Sequence, residues 1–283
     1  MSDKITVENL SYFHARKTPY EIKALDGIDL NIQSGTVTGL IGHTGSGKST
    51  LVQMFNGILR PHEGKVLLDG EDIWKRPKDI RKIRFRVGLV MQYPEYQLFE
   101  ETIYKDIAYG PKNMGLSESE IDERVREAAE FAGLEPDLLE KSPFDLSGGQ
   151  KRRAAIAGII AMRPELLILD EPAAGLDPRG RDSIFKNIAE YQKKSGSTVL
   201  IVSHSMEDMA RYCERLVVMS GGKIMLEGNC REVFSHADLL ESVGLDIPQI
   251  TKLTMMLRER GIELDSSVYT VEEAFEKIIK LYS

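Results

Sequence analysis

A strand followed at once by a glycine-rich loop is the feature that most constrains the fold of this chain. Residues 42–50 read Gly-His-Thr-Gly-Ser-Gly-Lys-Ser-Thr and follow the apolar run Val37 to Ile41. They match the pattern G-x-x-x-x-G-K-[ST], in which backbone N–H groups at a helix N-terminus bind phosphate oxygens, the lysine reaches the β and γ phosphates, and the next hydroxyl binds Mg²⁺. The pattern predicts a triphosphate site built from Gly42, His43, Thr44, Gly45, Ser46, Gly47, Lys48, Ser49 and Thr50.

The alternative is a glycine-rich turn that precedes a helix by coincidence. It would require a strand, three spaced glycines, a Lys-Ser pair and an amphipathic helix to occur together. The apolar residues of that helix are Leu51, Met54, Phe55 and Ile58. We therefore interpret residues 42–50 as a phosphate-binding loop.

The composition is typical of a chain that folds in water. The chain has 283 residues, of which 42% are hydrophobic and 29% charged, as in globular proteins of one large or two modest domains. Its apolar runs fall short of the roughly 18 residues that a membrane-spanning helix needs. Cys213 and Cys230 form no Cys-x-x-Cys pair, so we expect buried, reduced thiols and no structural metal.

The charge is unevenly distributed. A net charge of −7 argues against a general nucleic-acid binder, yet residues 75–86 carry seven Lys or Arg residues against one acid, Asp79. A nucleic-acid surface would need more stacking aromatic residues than Phe85, whereas a solvated helical face needs none. We interpret the segment as a solvated face and expect no nucleic-acid partner.

Two apolar patterns predict two kinds of sheet. Apolar residues alternate in three segments, as in antiparallel strands with one buried face: 5–7, 28–32 and 66–68. Three further runs are apolar on both faces, as in the central strands of a parallel sheet: 37–41, 166–169 and 199–202. The fold class that follows is α/β.

Each of the three central runs ends in a polar element. These elements are the phosphate loop, the pair Asp170-Glu171 and the pair Ser203-His204. Open α/β sheets bind ligands beyond the carboxyl ends of their strands, so we expect the three elements to form one site.

Helices are predicted in the middle of the chain and at its end. Ser117 and Glu120 form a capping box for a helix that continues to Ala132 and stops at Gly133. This helix indicates a helical subdomain, which we place at about residues 93–163. After residue 235 the pattern changes to short helices: one over 237–243, one that begins at Pro248 with apolar Ile250, Leu253 and Leu257, and one that opens with a Thr270/Glu273 capping box. We therefore predict a domain over 1–235 and a helical appendage over 236–283.

Asp170 and Glu171 leave a buried strand next to the predicted triphosphate. Adjacent residues at a strand end diverge, so the two carboxylates can serve different purposes. We predict that Asp170 holds Mg²⁺, mostly through water, and that Glu171 is the general base for an attacking water. The alternative is that both are solvated loop carboxylates. His204 could hydrogen-bond the γ-phosphate, although a lone His here is more often structural.

The sequence Leu146-Ser147-Gly148-Gly149-Gln150 is a second motif of the phosphate-binding kind. An N-cap serine and two glycines precede a helix predicted from Gln150 to Met162, which is again an anion-binding helix start. Since the first loop already binds the phosphates of one nucleotide, we expect the second to bind the γ-phosphate of a nucleotide held by another subunit.

With these motifs in this order, residues 4–235 resemble the ATP-binding cassette ATPases. The resemblance implies a P-loop NTPase fold with an antiparallel β subdomain and a helical signature subdomain. It also implies ATP and Mg²⁺ as cofactors, and a head-to-tail dimer with ATP between the phosphate loop of one subunit and Ser147, Gly148, Gly149 and Gln150 of the other. ATP binding would close the pair and hydrolysis would reopen it.

The same resemblance assigns single residues. Gln92 resembles the Q-loop residue that contacts Mg²⁺ and senses the transport partner, Asp177 resembles the D-loop residue at the nucleotide, and His204 resembles the switch histidine. The catalytic set is then Gln92, Glu171 and His204, and the metal set is Ser49, Gln92 and Asp170. The aromatic residue that stacks on adenine would align near His14, with Tyr12 as the alternative.

Three segments resemble the ATPase subunits of energy-coupling factor importers, which take up vitamins and, in related systems, cobalt or nickel: 92–100, 172–176 and 243–248. The stretch after Gln92 resembles the second of the two ATPases in that group. The resemblance implies a heterodimer of two cassettes, with a homodimer as the alternative, held together partly by the helical tail. It also implies a transmembrane coupling subunit docked beside the Q-loop, an indirectly bound substrate-binding membrane subunit, and a peripheral location on the cytoplasmic face of the membrane. Glu95, Glu100 and Glu101 would give the docking groove an acidic character suited to an Arg-bearing helix, unless they are solvated loop carboxylates.

The hypothesis from the sequence is an ATPase that powers membrane import. The rival class is a cassette protein that acts on ribosomes or DNA, but such proteins carry tandem cassettes or long heptad arms, which this chain lacks. A catalytically inactive partner is disfavoured because Lys48, Ser147, Asp170, Glu171 and His204 are all present. The sequence does not identify the transported substrate.

Overall fold

The computed structural model describes residues 2–262 and 268–282, and its strands form a four-stranded and a six-stranded sheet. The strands are β1 (Asp3–His14), β2 (Ile22–Gln33), β3 (Val37–Ile41), β4 (Glu63–Leu68), β5 (Glu71–Asp72), β6 (Val87–Val90), β7 (Leu166–Asp170), β8 (Thr198–Val202), β9 (Arg215–Ser220) and β10 (Lys223–Asn229). The helices are α1 (Lys48–Phe55), α2 (Ile80–Arg86), α3 (Ile103–Met114), α4 (Glu118–Ala132), α5 (Gly148–Ile160), α6 (Pro178–Ser195), α7 (Met206–Tyr212), α8 (Cys230–Phe234), α9 (Ala237–Ser242), α10 (Gln249–Glu259) and α11 (Val271–Tyr282).

The six-stranded sheet has the order β10-β9-β3-β8-β7-β6. Its strands are parallel except for β10, which pairs antiparallel with β9. Every residue of β3, β7 and β8 is buried, because both faces of these strands are covered. The three runs predicted to be central strands are therefore confirmed, and their carboxyl ends lie side by side at one edge of the sheet.

The four-stranded sheet has the order β2-β1-β4-β5, and its strands pair antiparallel. It contains the three predicted alternating segments, whose inward residues pack with one face of the parallel sheet and with α1 in one core. Helices α3, α4 and α5 pack against one another and contribute to the other core. The predicted α/β fold with parallel, antiparallel and helical parts is confirmed.

Capping residues set the ends of the central helices. The Ser117/Glu120 capping box opens α4 and Gly133, with a φ of 69°, closes it, as predicted. A second capping box, from Ser147 and Gln150, opens α5. This helix spans 148–160 rather than the predicted 150–162, because the first helical residue follows the N-cap serine directly.

The C-terminal segment 236–283, part of which lies outside the described residues, has a first part packed into the core and a second part, α10 and α11, with exposed apolar residues. Leu240, Leu245 and Ile247 are buried in the same core as the central sheet. The helix α10 begins after Pro248 as predicted, but it buries Thr251 and Thr254 rather than its leucines. Of its apolar residues, Leu253 is 46% exposed.

The buried threonines of α10 satisfy their hydroxyls locally. Thr251 Oγ1 donates to the carbonyl oxygen of Val268 at 2.7 Å, and Thr254 Oγ1 donates to that of Thr251 at 2.8 Å. Polar side chains can be buried here because each one has a backbone acceptor. The apolar face of α10 is left on the surface.

The basic segment 75–86 contains the exposed helix α2. Arg81, Lys82 and Arg84 are exposed, and Lys82 pairs with Asp79 at 3.1 Å. Within residues 2–262 and 268–282, none of the helices combines the length and apolar character needed to cross a bilayer. Both cysteines are free thiols, and burial raises the pKa of Cys230 to about 11.

An ion cluster joins the two sheets and yields a pH prediction. Glu165 accepts from Arg86 Nε at 2.7 Å and from Lys4 Nζ at 3.1 Å, and the hydrogen bond from Arg86 is the main cause that lowers the pKa of Glu165 to about 2. A lowered carboxyl pKa stabilises the fold above the unfolded-state pKa, and this contribution is lost as the pH falls from about 4.5 towards 2. Because the Glu165 side chain is 42% exposed, we expect its ion pairs to contribute only about 1 kcal/mol to the free energy of unfolding.

Glu165→Gln should therefore lower the free energy of unfolding at pH 7 and flatten its decline in acid. Urea unfolding between pH 7 and pH 3 measures both effects. Glu190→Gln, at an exposed position on α6, is the matched control. If the free energy of unfolding of Glu165→Gln declined between pH 7 and pH 3 as steeply as that of the wild type, the stabilising role of the Glu165 carboxylate would be contradicted.

Candidate nucleotide site

The phosphate loop lies between β3 and α1 in a conformation that requires glycine. Gly47 has a φ of 103°, a left-handed value, and a Cβ there would lie 2.6 Å from the carbonyl oxygen of Ala24. A Cβ on Gly42 would lie 2.4 Å from the carbonyl oxygen of Met219. With no room for side chains, the loop turns tightly and leads directly into the N-terminus of α1.

Lys48 is the first residue of α1 and folds back over the loop. Its Nζ donates to the carbonyl oxygens of Gly42 at 2.6 Å and His43 at 3.0 Å. Burial lowers the pKa of Lys48, and the carboxylates of Glu171 and Asp170 oppose that effect. The ammonium group is therefore held at the loop and can exchange carbonyl acceptors for phosphate oxygens.

Asp170 and Ser49 meet at the end of β7. Ser49 Oγ donates to Asp170 Oδ2 at 2.9 Å, and Asp170 is 7% exposed. Burial raises the pKa of Asp170, while the hydrogen bond from Ser49 lowers it and the charge of Glu171 raises it further. A hydroxyl and a buried carboxylate are hard oxygen ligands, so the pair fits Mg²⁺, whose charge would favour the ionised carboxylate.

Glu171 is held by two neighbours at the end of β8. Its Oε1 lies 2.7 Å from His204 Nδ1, and its Oε2 accepts from Ser203 Oγ at 3.3 Å. The backbone N–H of Glu171 donates to the carbonyl oxygen of Val202 at 2.9 Å, and its φ is 52°, in the left-handed region. The carboxylate is thereby fixed beside Asp170, and the strand ends bring Glu171 and His204 together as predicted.

Lys48, Ser49, Asp170 and Glu171 border a cavity of about 490 Å³, whose lining does not include Ser203 and His204. Its lining contains most of the predicted phosphate-loop residues, residues in or next to β1, β2, β6 and β7, and the turn between β9 and β10: His14, Ile22, Lys23, Ala24, Thr44, Gly45, Gly47, Lys48, Ser49, Thr50, Gln92, Asp170, Glu171, Gly221 and Gly222. Charged side chains, hydroxyl groups and the N-terminus of α1 converge on this cavity. The cavity has the size and donors for a nucleoside triphosphate.

The two candidates for the adenine contact differ in their surroundings. His14 lines the cavity, and its Nε2 lies 3.2 Å from Thr50 Oγ1. Tyr12 instead stacks on His62, with ring centroids 4.7 Å apart and an angle of 22° between the planes. The geometry favours His14, with Ile22 opposite it in the β1–β2 register.

The residues of the second motif, Leu146 to Gln150, here called the signature, lie outside this cavity. Ser147 Oγ accepts from Gln150 N at 3.3 Å, and Gln150 Oε1 accepts from Ser147 N at 2.9 Å, so the pair caps α5. A Cβ on Gly148 would have no atom within 4 Å, and one on Gly149 would touch only Leu176 at 3.7 Å. Asp177 caps α6 by accepting from Gly180 N at 2.7 Å. Among the described residues, the signature and Asp177 do not complete the site of their own chain.

The segment after Gln92 corrects one expectation. Gln92 lines the cavity, and Tyr93 next to it has a left-handed φ of 56°. Glu95, expected to face a docking helix, is instead paired with Arg152, with Nη2–Oε1 at 2.8 Å. The expectation that all three glutamates are available for a partner is wrong for Glu95.

Some contacts of the site were not predicted. Ser203 was predicted in the same element as His204, but only its hydrogen bond shows that it orients Glu171. Ala24, Gly221 and Gly222 reach the cavity because Asp26 N donates to the carbonyl oxygen of Gly222 at 2.9 Å. Sequence offered no signal for this contact, since β2 and the turn between β9 and β10 are far apart along the chain.

Comparison with known proteins agrees with this site. A family described as ABC transporter matches residues 25–174, just over half of the chain. The fold, the phosphate loop and the separate signature define an ATP-binding cassette, and the chain belongs to the ABC transporter family. Two relatives, each called energy-coupling factor transporter ATP-binding protein EcfA2, come from Clostridium tetani (51% identity, 99% of this chain and 97% of the relative) and Caldanaerobacter subterraneus (54%, 98% and 96%). Within the family, the chain groups with these energy-coupling factor ATP-binding proteins.

Solved structures show the same fold. The structure of cbiO1 from Clostridium perfringens, described as part of the ABC transporter complex cbiONQ, has 42% identity and a TM-score of 0.76 over 90% of this chain and all of that one. The cassette MJ0796, solved as a dimer bound to ADP and Pi, has 28% identity and a TM-score of 0.72 over 80% of this chain and 99% of that one.

Proposed function

We propose that this chain is the second of two ATPase subunits that power an energy-coupling factor importer of vitamins or related micronutrients. ABC transporter ATPases bind and hydrolyse ATP to drive transport, and this chain has the parts that this reaction needs. The observation that carries the proposal is the cavity in which Lys48, Ser49, Asp170 and Glu171 converge beside an open helix start. Import of cobalt or nickel is the alternative cargo.

The chemistry follows from the placement of these groups. Lys48 and the loop N–H groups would bind the β and γ phosphates, and Ser49 and Asp170 would hold Mg²⁺ with Gln92 beside them. The metal, when bound, neutralises phosphate charge. Glu171 accepts a proton from the attacking water, and Ser203 and His204 fix its orientation. His14 supports the adenine ring.

The pairing of two cassettes is supported by a phosphate-binding helix start that lies outside the cavity of its own chain. Ser147 and Gly148 are exposed at a capped helix start that is complementary to phosphate, yet they do not line the cavity of their own chain. A head-to-tail pair would place them on the γ-phosphate held by the other subunit, with Asp177 close to the interface. We infer a heterodimer with a homologous ATPase, and a homodimer as the alternative.

The helical appendage supports the same pairing. Leu253 and Met256 on α10, and Val271 and Phe275 on α11, are exposed at helical spacing, with Phe275 at 64% and Met256 at 54%. An exposed apolar face of this kind marks an interaction surface. We propose that the predicted appendage, 236–283, is a dimerisation element, with the face on α10 and α11 as its contact surface.

The double variant Met256→Glu/Phe275→Glu should weaken pairing at least about tenfold, because two buried apolar side chains are each worth about 1.5–3 kcal/mol. ATP binding by the isolated chain should be unchanged. Analytical ultracentrifugation measures the dissociation constant, and a fluorescent ATP analogue measures binding. Met225→Glu, at an exposed methionine of β10, is the matched control. An unchanged dissociation constant in the double variant would refute the dimerisation role.

A groove beside the Q-loop supports docking of a transmembrane coupling subunit. The groove measures about 510 Å³ and includes Phe85, Phe99 and Tyr109 among its lining. Phe99 is 65% exposed, and neighbouring Tyr96 is 85% exposed. Asp106 in the groove accepts from Phe99 N at 3.1 Å, and burial raises its pKa. Arg81 and Arg84 line the same groove, so its charge is mixed, and its aromatic surface is the feature that suits an amphipathic helix.

This docking would hold the chain at the cytoplasmic face of the membrane, with a substrate-binding membrane subunit reached through the coupling subunit. No nucleic acid takes part in the proposed function. The transported substrate would be recognised by that membrane subunit rather than by this chain.

Affinity purification of the chain from native membranes in mild detergent, with mass spectrometry of the proteins that copurify, tests the proposal. We expect a multispanning subunit, a second cassette ATPase and a small membrane binding protein. Recovery of ribosomal or DNA-processing proteins without a membrane subunit would overturn the importer role and leave the ATPase chemistry in place.

A further inference from the structure

The side chain of Arg152 connects three segments that are distant in sequence. It projects from α5, five residues after Ser147, and is 4% exposed. Its Nε donates to Glu95 Oε2 at 3.2 Å and its Nη2 to Glu95 Oε1 at 2.8 Å, while Nη1 donates to the carbonyl oxygen of Ala174. One guanidinium group therefore binds a carboxylate on one side and a backbone carbonyl on the other.

The two partners of Arg152 belong to segments with different neighbours. Glu95 lies in the short helical turn Pro94–Gln97, between the cavity residue Gln92 and the docking groove, which Gln97 lines. Ala174 lies three residues after Glu171 and three before Asp177. Arg152 thus bridges the groove side of the molecule and the loop that carries the general base.

The bridge is a strong one. The contact with Glu95 is bidentate and charge-assisted, which fixes the orientation of both groups. Glu95 is 16% exposed, so solvent competes weakly with Arg152. Removal of either partner would leave a buried charge unpaired, and the three segments are therefore expected to move together.

We propose that Arg152 is a positioning residue that couples the docking groove to the nucleotide site. Displacement of Pro94–Gln97 by a docked membrane subunit moves Glu95, Arg152 follows because of the bidentate pair, and the bond to Ala174 carries the movement into residues 172–177. That loop directly follows Glu171 and ends at Asp177, which the proposed pairing would place close to the other subunit. This inference rests on the proposed function for the docked partner, but the bridge itself is a property of this chain alone.

A purely structural ion pair is the rival explanation, and an exchange variant separates the two. In Glu95→Arg/Arg152→Glu the ion pair can form with its members exchanged. A glutamate at position 152 cannot donate to the carbonyl of Ala174, so the connection to residues 172–177 is lost. A structural pair would be rescued by this exchange, whereas a coupling bridge would not.

The first measurement is hydrogen–deuterium exchange in the isolated chain. The backbone amides of residues 173–177 should exchange hydrogen about tenfold faster in Glu95→Arg/Arg152→Glu and in Arg152→Met than in the wild type, since a charge-assisted hydrogen bond that orders the loop is lost. Arg153→Met is the matched control: Arg153 neighbours Arg152 on α5, but its Nη1 donates to Ala132 at 3.1 Å, within the helical subdomain. If Glu95→Arg/Arg152→Glu and Arg152→Met both show the hydrogen–deuterium exchange rates of the wild type in this loop, the proposal is overturned.

The second measurement is ATP turnover with the membrane subunits that copurify. The exchange variant should keep the basal turnover of the cassette pair and lose at least about fivefold in stimulation by the membrane subunits, a coupling of the size seen in allosteric proteins. Full stimulation in the exchange variant would overturn the coupling role. If the membrane subunits do not stimulate the wild type, the proposed transport function is refuted. The hydrogen–deuterium exchange rates would still decide whether Arg152 orders residues 173–177.

Arg152→Lys serves if the exchange variant does not fold. Lysine keeps the charge and one contact at a time but cannot bind Glu95 bidentately and reach Ala174 together. We expect a melting temperature near that of the wild type with reduced stimulation. Wild-type stimulation in Arg152→Lys would contradict the proposal.

Discussion

Glu171→Gln is expected to slow ATP turnover by about 10²- to 10⁴-fold while ATP binding is retained, because the amide cannot accept the proton of the attacking water. The replacement keeps the size of the side chain, and Ser203 can still donate to its oxygen. The variant should therefore accumulate ATP-bound, closed pairs. Phosphate release measures turnover, and size-exclusion chromatography with ATP measures the closed pair.

Glu190→Gln, on the exposed side of α6, controls for the loss of one negative charge and should turn over normally. Normal turnover by Glu171→Gln would remove the general-base assignment. The hydrogen bond between His204 and Glu171 would then have only a structural role.

Lys48→Ala should weaken ATP binding by about 10²-fold, since charge-assisted hydrogen bonds to the β and γ phosphates, each worth about 1.5–3 kcal/mol, are lost. The expectation depends on the position of Nζ, which is held at the loop by the carbonyl oxygens of Gly42 and His43. Equilibrium dialysis with labelled ATP measures the dissociation constant without relying on turnover.

Lys193→Ala, at an exposed lysine of α6, is the matched control for Lys48→Ala. Its dissociation constant should equal that of the wild type. An unchanged affinity in Lys48→Ala would mean that the loop N–H groups alone bind the phosphates.

Local sequence signals predicted the parts of the site that lie within short segments. The three fully buried strands, the phosphate loop and the capping boxes of Ser117/Glu120 and Thr270/Glu273 each depend on residues within a few positions of one another. The order of strands in the sheet then brings Ser49 to Asp170 and Glu171 to His204. These contacts could be predicted because parallel strands end at one edge of the sheet.

The remaining features depend on distant residues. Nothing near Glu95 indicates that its partner is Arg152, which is 57 positions away, so an acidic surface was predicted where a buried ion pair lies. In α10 the periodicity predicted a helix but not which face is buried. Thr251 and Thr254 face inward because a backbone carbonyl of the neighbouring segment is available, and this choice cannot be read from hydrophobicity.

The left-handed backbone at Glu171 creates a hazard for protein engineering. A non-glycine residue with a φ of 52° costs about 1–3 kcal/mol, which the surrounding contacts have to offset. Glycine would relieve this strain, so a search for heat-resistant variants would reward the loss of the general base. Directed evolution of this chain for thermal stability alone would thus select well-folded proteins that bind ATP but no longer hydrolyse it.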